Sequence, residues 1–495
     1  MELQFHKNKL SCLRLAKREA RNVEQTQELR IPEGMPAVGR VVGAWGQVLL
    51  RSKEWHGGNA QVSGGVVMCV LYIPEDGAEV QQVETWIPFQ AKWELPSTET
   101  EGIICADALL RSADARSISA GKLMVRVNVG VTGEFWLKED AWTCTVPEMP
   151  EDVALLRRTC SVQIPKQAGE KPFALEEELT FPANTPVPAK LLRSSLQCEL
   201  IDKKILSDKV VFRGMALLHT LYKSEDGQLH TWDFELPFSQ YGELEQECEQ
   251  GNVRIIMAPT SMEADLDTEG RLHLKAGFTG QYLVCDSVDM EVVEDAYSPI
   301  RTVVPQMQTL DISVVQQLQQ QTVEAEQTVH TQGNTLELTF LPDHPGGAHT
   351  GMPATLNGQF QLLYQDETGA IQSTAARWEQ PSPLGTEEGA QTLIAVRPSG
   401  KPQTAYDGTA TLLHADMLMD NMILGSGGIP MVTALEISET KALDSNRPSL
   451  ILRRAGDQTL WQLAKEYGST VEAIQSANKL EGAPTTDQML LIPVL

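Results

Sequence analysis

The chain has 495 residues, 42% of them hydrophobic and 21% charged, with a formal net charge of -26. That length exceeds one ordinary core and predicts about three or four domains, and the apolar fraction excludes a largely disordered chain. The acidic balance excludes nucleic acid or an anionic membrane as the principal partner, because phosphate binding needs a cationic surface that displaces counterions.

In chain order, the first feature is KNKLSCLRLAKREAR at residues 7–21, where Lys7, Lys9, Arg14, Lys17, Arg18 and Arg21 surround Leu10, Leu13 and Leu15. It reads either as a basic arm for a membrane surface or acidic partner, or as the solvated face of a helix or strand. No apolar run reaches the length of a membrane span and no secretory pattern follows the start, so a cytoplasmic location is expected. Cys12, Cys69, Cys105, Cys144, Cys160, Cys198, Cys248 and Cys285 are scattered without a C-x-x-C pair. They are expected to be small core residues in a reducing compartment.

A repeat organises the middle of the chain. VSGGVVMCVLYIPEDGAEVQQVETWIPF aligns with VVFRGMALLHTLYKSEDGQLHTWDFELPF. Tyr72 falls on Tyr222, Glu75-Asp76-Gly77 on Glu225-Asp226-Gly227, and Pro88-Phe89 on Pro237-Phe238. A third copy, LNGQFQLLYQDETGAIQSTAARWEQP, places Tyr364, Asp366, Gly369, Trp378 and Pro381 correspondingly. Upstream, QELRIPEGMPAVGR resembles EELTFPANTPVPAK, with LELTFLPDHPGG as a weaker third version; downstream, KLMVRVNVGVTG resembles RLHLKAGFTG. Alternating apolar and polar residues broken by Gly, Pro and Asp predict antiparallel strands. Three homologous β domains are expected, at 1–147, 148–304 and 305–442.

Read alone, E-D-G invites assignment as a metal or catalytic loop. Its third copy replaces the acids by Glu367-Thr368 and keeps the glycine. A tight hairpin turn, for which glycine supplies a positive φ, is therefore expected.

Between the repeats, TLDISVVQQLQQQTVEAEQTVHTQGN reads as a short helix or a linker leading into an edge strand, and SETKALDSNRPSL as a hinge. Modules separated by such linkers would attach multivalently. Asp343, His344 and His349 in DHPGGAHTG offer metal ligands without a register to converge them, so a surface loop is expected. Ser426 in LGSGGIP lacks the nucleophile elbow. Met417, Met419 and Met422 read as core, and Trp45, Trp55, Trp86 and Trp93 as core or interface rather than a sugar platform. With no recurring acid/base pair, the expectation is a non-enzymatic chain with no cofactor and no metal.

The tail changes character. SLILRRAGDQTLWQLAKEYGSTVEAIQSANKLEGAPTTDQMLLIPVL predicts a strand, a helix capped by Thr459 and closed by Gly468, a second helix capped by Ser469 or Thr470, and a final strand. This βααβ unit, at 449–495, resembles the LysM domain through Gly456-Asp457, Thr459-Leu460-Trp461, Leu463-Ala464, Tyr467-Gly468, Val471, Ile474, Asn478 and Leu491-Ile492-Pro493. Gln458 is an extra residue relative to that pattern, and TTDQM replaces a glycine before the last strand. The resemblance implies a shallow groove for N-acetylglucosamine chains, lined by Gly456, Asp457, Gln458, Thr459 and Leu460 on one side and by Asn478, Lys479 and Leu480 on the other.

Repeated β domains followed by one LysM resemble the SPOCS-domain spore-coat morphogenetic proteins of endospore-forming Firmicutes, the clostridial SipL type. The likeness rests on Tyr72, Gly77, Pro88 and Phe89, their second-copy partners, and LRIP and LTFP. It implies a scaffold or adaptor at the mother-cell side of the forespore surface, docking coat proteins including the basement-layer ATPase. The alternative it leaves open is a peptidoglycan-binding protein acting through its LysM.

Overall fold

The computed structural model describes residues 1–77, 79–96, 101–248, 251–331, 333–344, 354–383, 390–439 and 448–495, without the side chains at 426 and 427. It is mainly β. After a short strand β1 (Glu2–Gln4), the first set of six strands is β2 (His6–Arg30), β3 (Val38–His56), β4 (Asn59–Pro74), β5 (Gln81–Glu94), β6 (Ile103–Ser119) and β7 (Lys122–Thr145). The second set is β8 (Ala154–Thr180), β9 (Pro188–Leu206), β10 (Lys209–Ser224), β11 (Leu229–Glu243), β12 (Asn252–Leu266) and β13 (Arg271–Tyr297). The third is β14 (Val303–Val329), β15 (Gly333–Asp343), β16 (Thr355–Asp366), β17 (Ile371–Pro381), β18 (Ala390–Tyr406) and β19 (Thr411–Ile437). The tail gives β20 (Leu450–Arg454), α1 (Leu460–Tyr467), α2 (Val471–Asn478) and β21 (Met489–Pro493).

Each set uses one topology. Its second, third and fourth strands form a meander, while its last strand runs between the first and the fifth. Period-two patterning explains why the two sheets of a set pack face to face. On β4, Val66, Met68, Val70 and Tyr72 are buried, and on β7 so are Leu123, Val125, Val127, Val129 and Val131, all in one cluster. Each such aliphatic side chain contributes about 1.5–3 kcal/mol.

The long strands bend at a recurring bulge. Pairing skips Ala16 in β2, Lys166 in β8 and Gln316 in β14, at the same point of each hairpin. Beyond it, equivalent residues of the three sets meet. Leu10, Cys160 and Leu310 share one cluster with Ala141, Met290 and Ile429. Leu71, Leu221 and Leu363, each one residue before a repeated tyrosine, share another. Equivalent positions converging in this way place the sets around a common pseudo-threefold axis. β1 continues the third set's sheet beside β19, pairing Glu2 with Glu436 and Gln4 with Ala434.

Several expectations change. The three sets are not modules spaced by linkers, because they share buried cores. The Gln-rich segment is the long strand β14: its polar residues face solvent along a hairpin whose alternate residues, such as Val323 and Ala325, are buried. LELTFLPDHPGG is not the third upstream copy. It lies largely in β15 and pairs with β16, the position of β3 and β9, whereas QELR and EELT end β2 and β8.

The basic segment is strand β2, with Lys9 and Arg14 on Asp140 and Glu139 of β7, and Lys17 and Arg21 on Glu19. Seven cysteines are buried and Cys144 is half-buried. Residues 440–447 of the expected hinge lie outside the described residues.

Candidate functional site

The tail unit is organised by its caps. Thr459 starts α1 with a reciprocal pair: Gln462 N donates to its hydroxyl at 3.2 Å, and its own backbone N donates to Gln462 Oε1 at 2.9 Å. Gly468 closes that helix at φ +64, a left-handed position suited to glycine. Thr470, rather than Ser469, caps α2, accepting from Ala473 N at 3.1 Å. Leu463, Ala464, Ile474, Leu490 and Ile492 form the core of the unit.

The eight residues expected to line a groove fall in two loop regions attached to one return segment. Gly456 N donates to Thr486 O at 2.9 Å, and the Asn478 amide holds Leu491, accepting from its N at 2.7 Å and donating to its O at 2.6 Å. Gly456, Asp457, Thr459 and Lys479 are exposed, while Gln458, Leu460, Asn478 and Leu480 are half-buried. Besides Thr459, which caps α1, and Gly456, which is bonded to Thr486, two more of the eight serve the fold. Asn478 also donates to Ile474 O, so its amide is committed to joining α2 with β21. Gln458, the extra residue, donates to Glu466, which also pairs with Arg453. Lys479 adopts φ +52, where a side chain costs about 1–2 kcal/mol, so one rim is locally strained.

An interface that the sequence did not reveal attaches this unit to the second set. Trp461 Nε1 donates to Asp295 Oδ2 at 2.9 Å, Lys465 reaches the same carboxylate at 2.7 Å, and the Trp461 ring meets Tyr297 edge-on at 4.6 Å. Tyr297 is buried in the core of the unit, with Ala154 packed beside it. Burial raises the Asp295 pKa, and the bonds from Lys465 and Trp461 lower it by more, so the net direction is down.

The three E-D-G positions are hairpin turns. Gly77, Gly227 and Gly369 have φ of +71, +83 and +85, and their N atoms donate to the oxygens of Pro74, Ser224 and Asp366 at 3.1, 3.0 and 2.9 Å. The repeated tyrosine fastens the loop before the first two meanders: Tyr72 Oη donates to Pro36 O at 3.0 Å and Tyr222 Oη to Pro186 O at 3.3 Å.

Charged groups are buried where the sets meet. Arg254 of β12 donates twice to Glu134 of β7, at 2.7 and 2.9 Å, and lies 3.7 Å from Asp420 of β19, uniting all three sets. Burial disfavours the Arg254 charge, but Glu134 and Asp420 more than offset this and raise its pKa. Arg193 pairs with Glu337, which also lies 3.0 Å from His219. A cleft of about 220 Å³ between the first two sets includes Lys53, whose ammonium donates to Ile104 O, Glu170 and Gln281.

His344 is buried rather than in a surface loop, because Asp343 beside it is drawn to Arg111 of β6 at 2.6 Å. His349 and the Ser426 side chain lie outside the described residues. Trp45, Trp55 and Trp93 are buried, as are Met417, Met419 and Met422. Trp86 is 38% exposed, with Arg51 5.2 Å from its ring centre.

Residues 189–267, which span most of β9 through β12, match the family described as SipL, SPOCS domain. Residues 454–493 match the LysM domain family. No curated protein and no solved structure matches the chain. The two matched domains are binding and scaffold types; the first points to spore-coat assembly and the second to peptidoglycan binding. With a SPOCS domain followed by a C-terminal LysM domain, the chain has the SipL-type architecture.

Proposed function

We propose that the chain is a non-enzymatic scaffold of spore-coat assembly, working on the mother-cell side of the forespore surface and docking the coat basement-layer ATPase. In this reading the three sets are SPOCS-like domains at 1–147, 148–304 and 305–442, and residues 449–495 add one further contact. The carrying observation is where the charge is spent. The buried ionic groups Glu134, Arg254 and Asp420 form joints between sets, while Asp457 and Lys479 on the LysM rims stand in solvent. Such a chain presents rigid surfaces rather than a reaction centre.

The test is capture of the ATPase from sporulating-cell lysate on the immobilised full chain, beside the variants Asp457→Lys and Lys479→Glu. Retention lost in the variants assigns the contact to the LysM rims, and retention kept assigns it to the β sets. No retention by the unaltered chain refutes the proposal.

The second reading, peptidoglycan binding through Gly456–Leu460 and Asn478–Leu480, is favoured by the exposed rims. Titration of the full chain with muropeptides tests it. Binding weakened by Asp457→Ala and Lys479→Ala supports a glycan site, and heat-free titrations refute it.

A further inference from the structure

The LysM unit has a second face. In its two-stranded sheet, Leu490 and Ile492 point inward against the helices and are fully buried. The alternate residues point outward: Leu450 is 52% exposed, Leu452 63%, Met489 50% and Leu491 37%. Leu452 and Leu491 are a cross-strand pair, and Leu450 stands opposite Pro493. Leu495 beyond the strand is also exposed. Single exposed apolar residues need no explanation, but a contiguous row across two paired strands marks a contact surface.

We infer that this face associates with the same face of a second copy of the chain. Charge supplies the first argument. The chain carries -26 overall, so copies repel over most of their surface. Within 448–495, however, Arg453, Arg454, Lys465 and Lys479 nearly offset Asp457, Glu466, Glu472, Glu481 and Asp487. Approach through this unit therefore meets the least opposition.

Self-complementarity supplies the second. A twofold axis parallel to the strands, lying between two stacked sheets, sets β20 of one copy over β21 of the other. Leu452 then covers Leu491 of the second copy, and Leu450 covers Pro493. At one end of the face, Arg454 and Asp487 are paired 3.4 Å apart and both largely exposed. The same operation lays the Arg454 of each copy toward the Asp487 of its mate, so opposite charges meet.

The face is small. It falls short of the roughly 800 Å² per partner of a standard interface, so association is weak, with a Kd on the order of micromolar or above. This contact lies on the side of the sheet away from α1 and α2.

Sedimentation velocity of the full chain across about 1–300 μM tests the inference. A monomer–dimer equilibrium is expected. Leu452→Asp raises the Kd by about tenfold or more, since a carboxylate would sit at the centre of the contact. Arg454→Glu and Asp487→Arg each weaken association, and mixing the two variants restores it: the pair within each chain stays broken while opposite charges again meet across the contact, which separates a specific contact from a folding defect. A chain that stays monomeric throughout, or a Leu452→Asp variant that dimerises as well as the unaltered chain, overturns it.

Discussion

Replacing Arg254 by methionine isolates the joint between the three sets. Arg254 and Glu134 are 2% and 3% exposed, joined by two short bonds, with Asp420 at 3.7 Å. Methionine fills much of the volume but removes the cation that the two carboxylates share, leaving Glu134 with Arg18 at 3.8 Å and Asp420 with Lys203 at 3.7 Å. Breaking a buried pair in this way costs about 3–5 kcal/mol. Unfolding entropy of about 2 cal/mol/K per residue gives a chain of this length about 1 kcal/mol/K if it melts as one. The expected fall in melting temperature is therefore about 3–5 °C, read by calorimetry. Adding Glu134→Gln removes one of the two buried carboxylate charges and returns part of that loss. A shift under about 1 °C, or a double variant no more stable than the single one, would refute the assignment of this network as a stabilising joint.

The other expectations concern the LysM unit and the repeated tyrosine. Asp295→Ala is expected to raise hydrogen exchange in α1 without lowering the protection of β4 and β7. Because the Asp295 pKa is depressed, its contribution is present above the unfolded carboxylate value of about 4 and is lost as pH falls through the folded value. Protection of α1 in the unaltered chain should decline across that window, and a flat profile would count against the contact. Asn478→Ala removes both bonds to the partly exposed backbone of Leu491 and should destabilise the LysM unit by about 0.5–1.5 kcal/mol for each bond lost, seen as faster exchange in β21. Tyr72→Phe removes one bond to Pro36 and should cost about 0.5–1.5 kcal/mol in denaturant unfolding, with the core otherwise retained.

Local chemistry was legible in the sequence. The hairpins at Gly77, Gly227 and Gly369 were readable because a positive φ depends on one residue and its neighbours. The helices of the tail were readable because Thr459, Gly468 and Thr470 act within one turn. Long-range features were not. Ala16, Lys166 and Gln316 occupy equivalent bulges yet share no side-chain chemistry, so no pattern connects them. Leu338-Thr339-Phe340 misled because it repeats Leu179-Thr180-Phe181 in composition, while pairing with β16 sets its true place. Glu134, Arg254 and Asp420 are far apart in the chain, and their burial follows only from packing the three sets together. For the groove, residue types pointed to the rims, but nothing local showed that Asn478 is consumed by the backbone of Leu491.

The attachment of Trp461 and Lys465 to Asp295 also determines how mechanical load would travel. The LysM unit follows the third set in sequence but grips the second, at the end where Tyr297 pairs with Ala154. A pull on this unit would first strain that grip, passing force into β8 and β13 along their length. Those strands are paired over nearly all of their 27 residues, and a ladder loaded lengthwise must shear many bonds at once rather than unzip them singly.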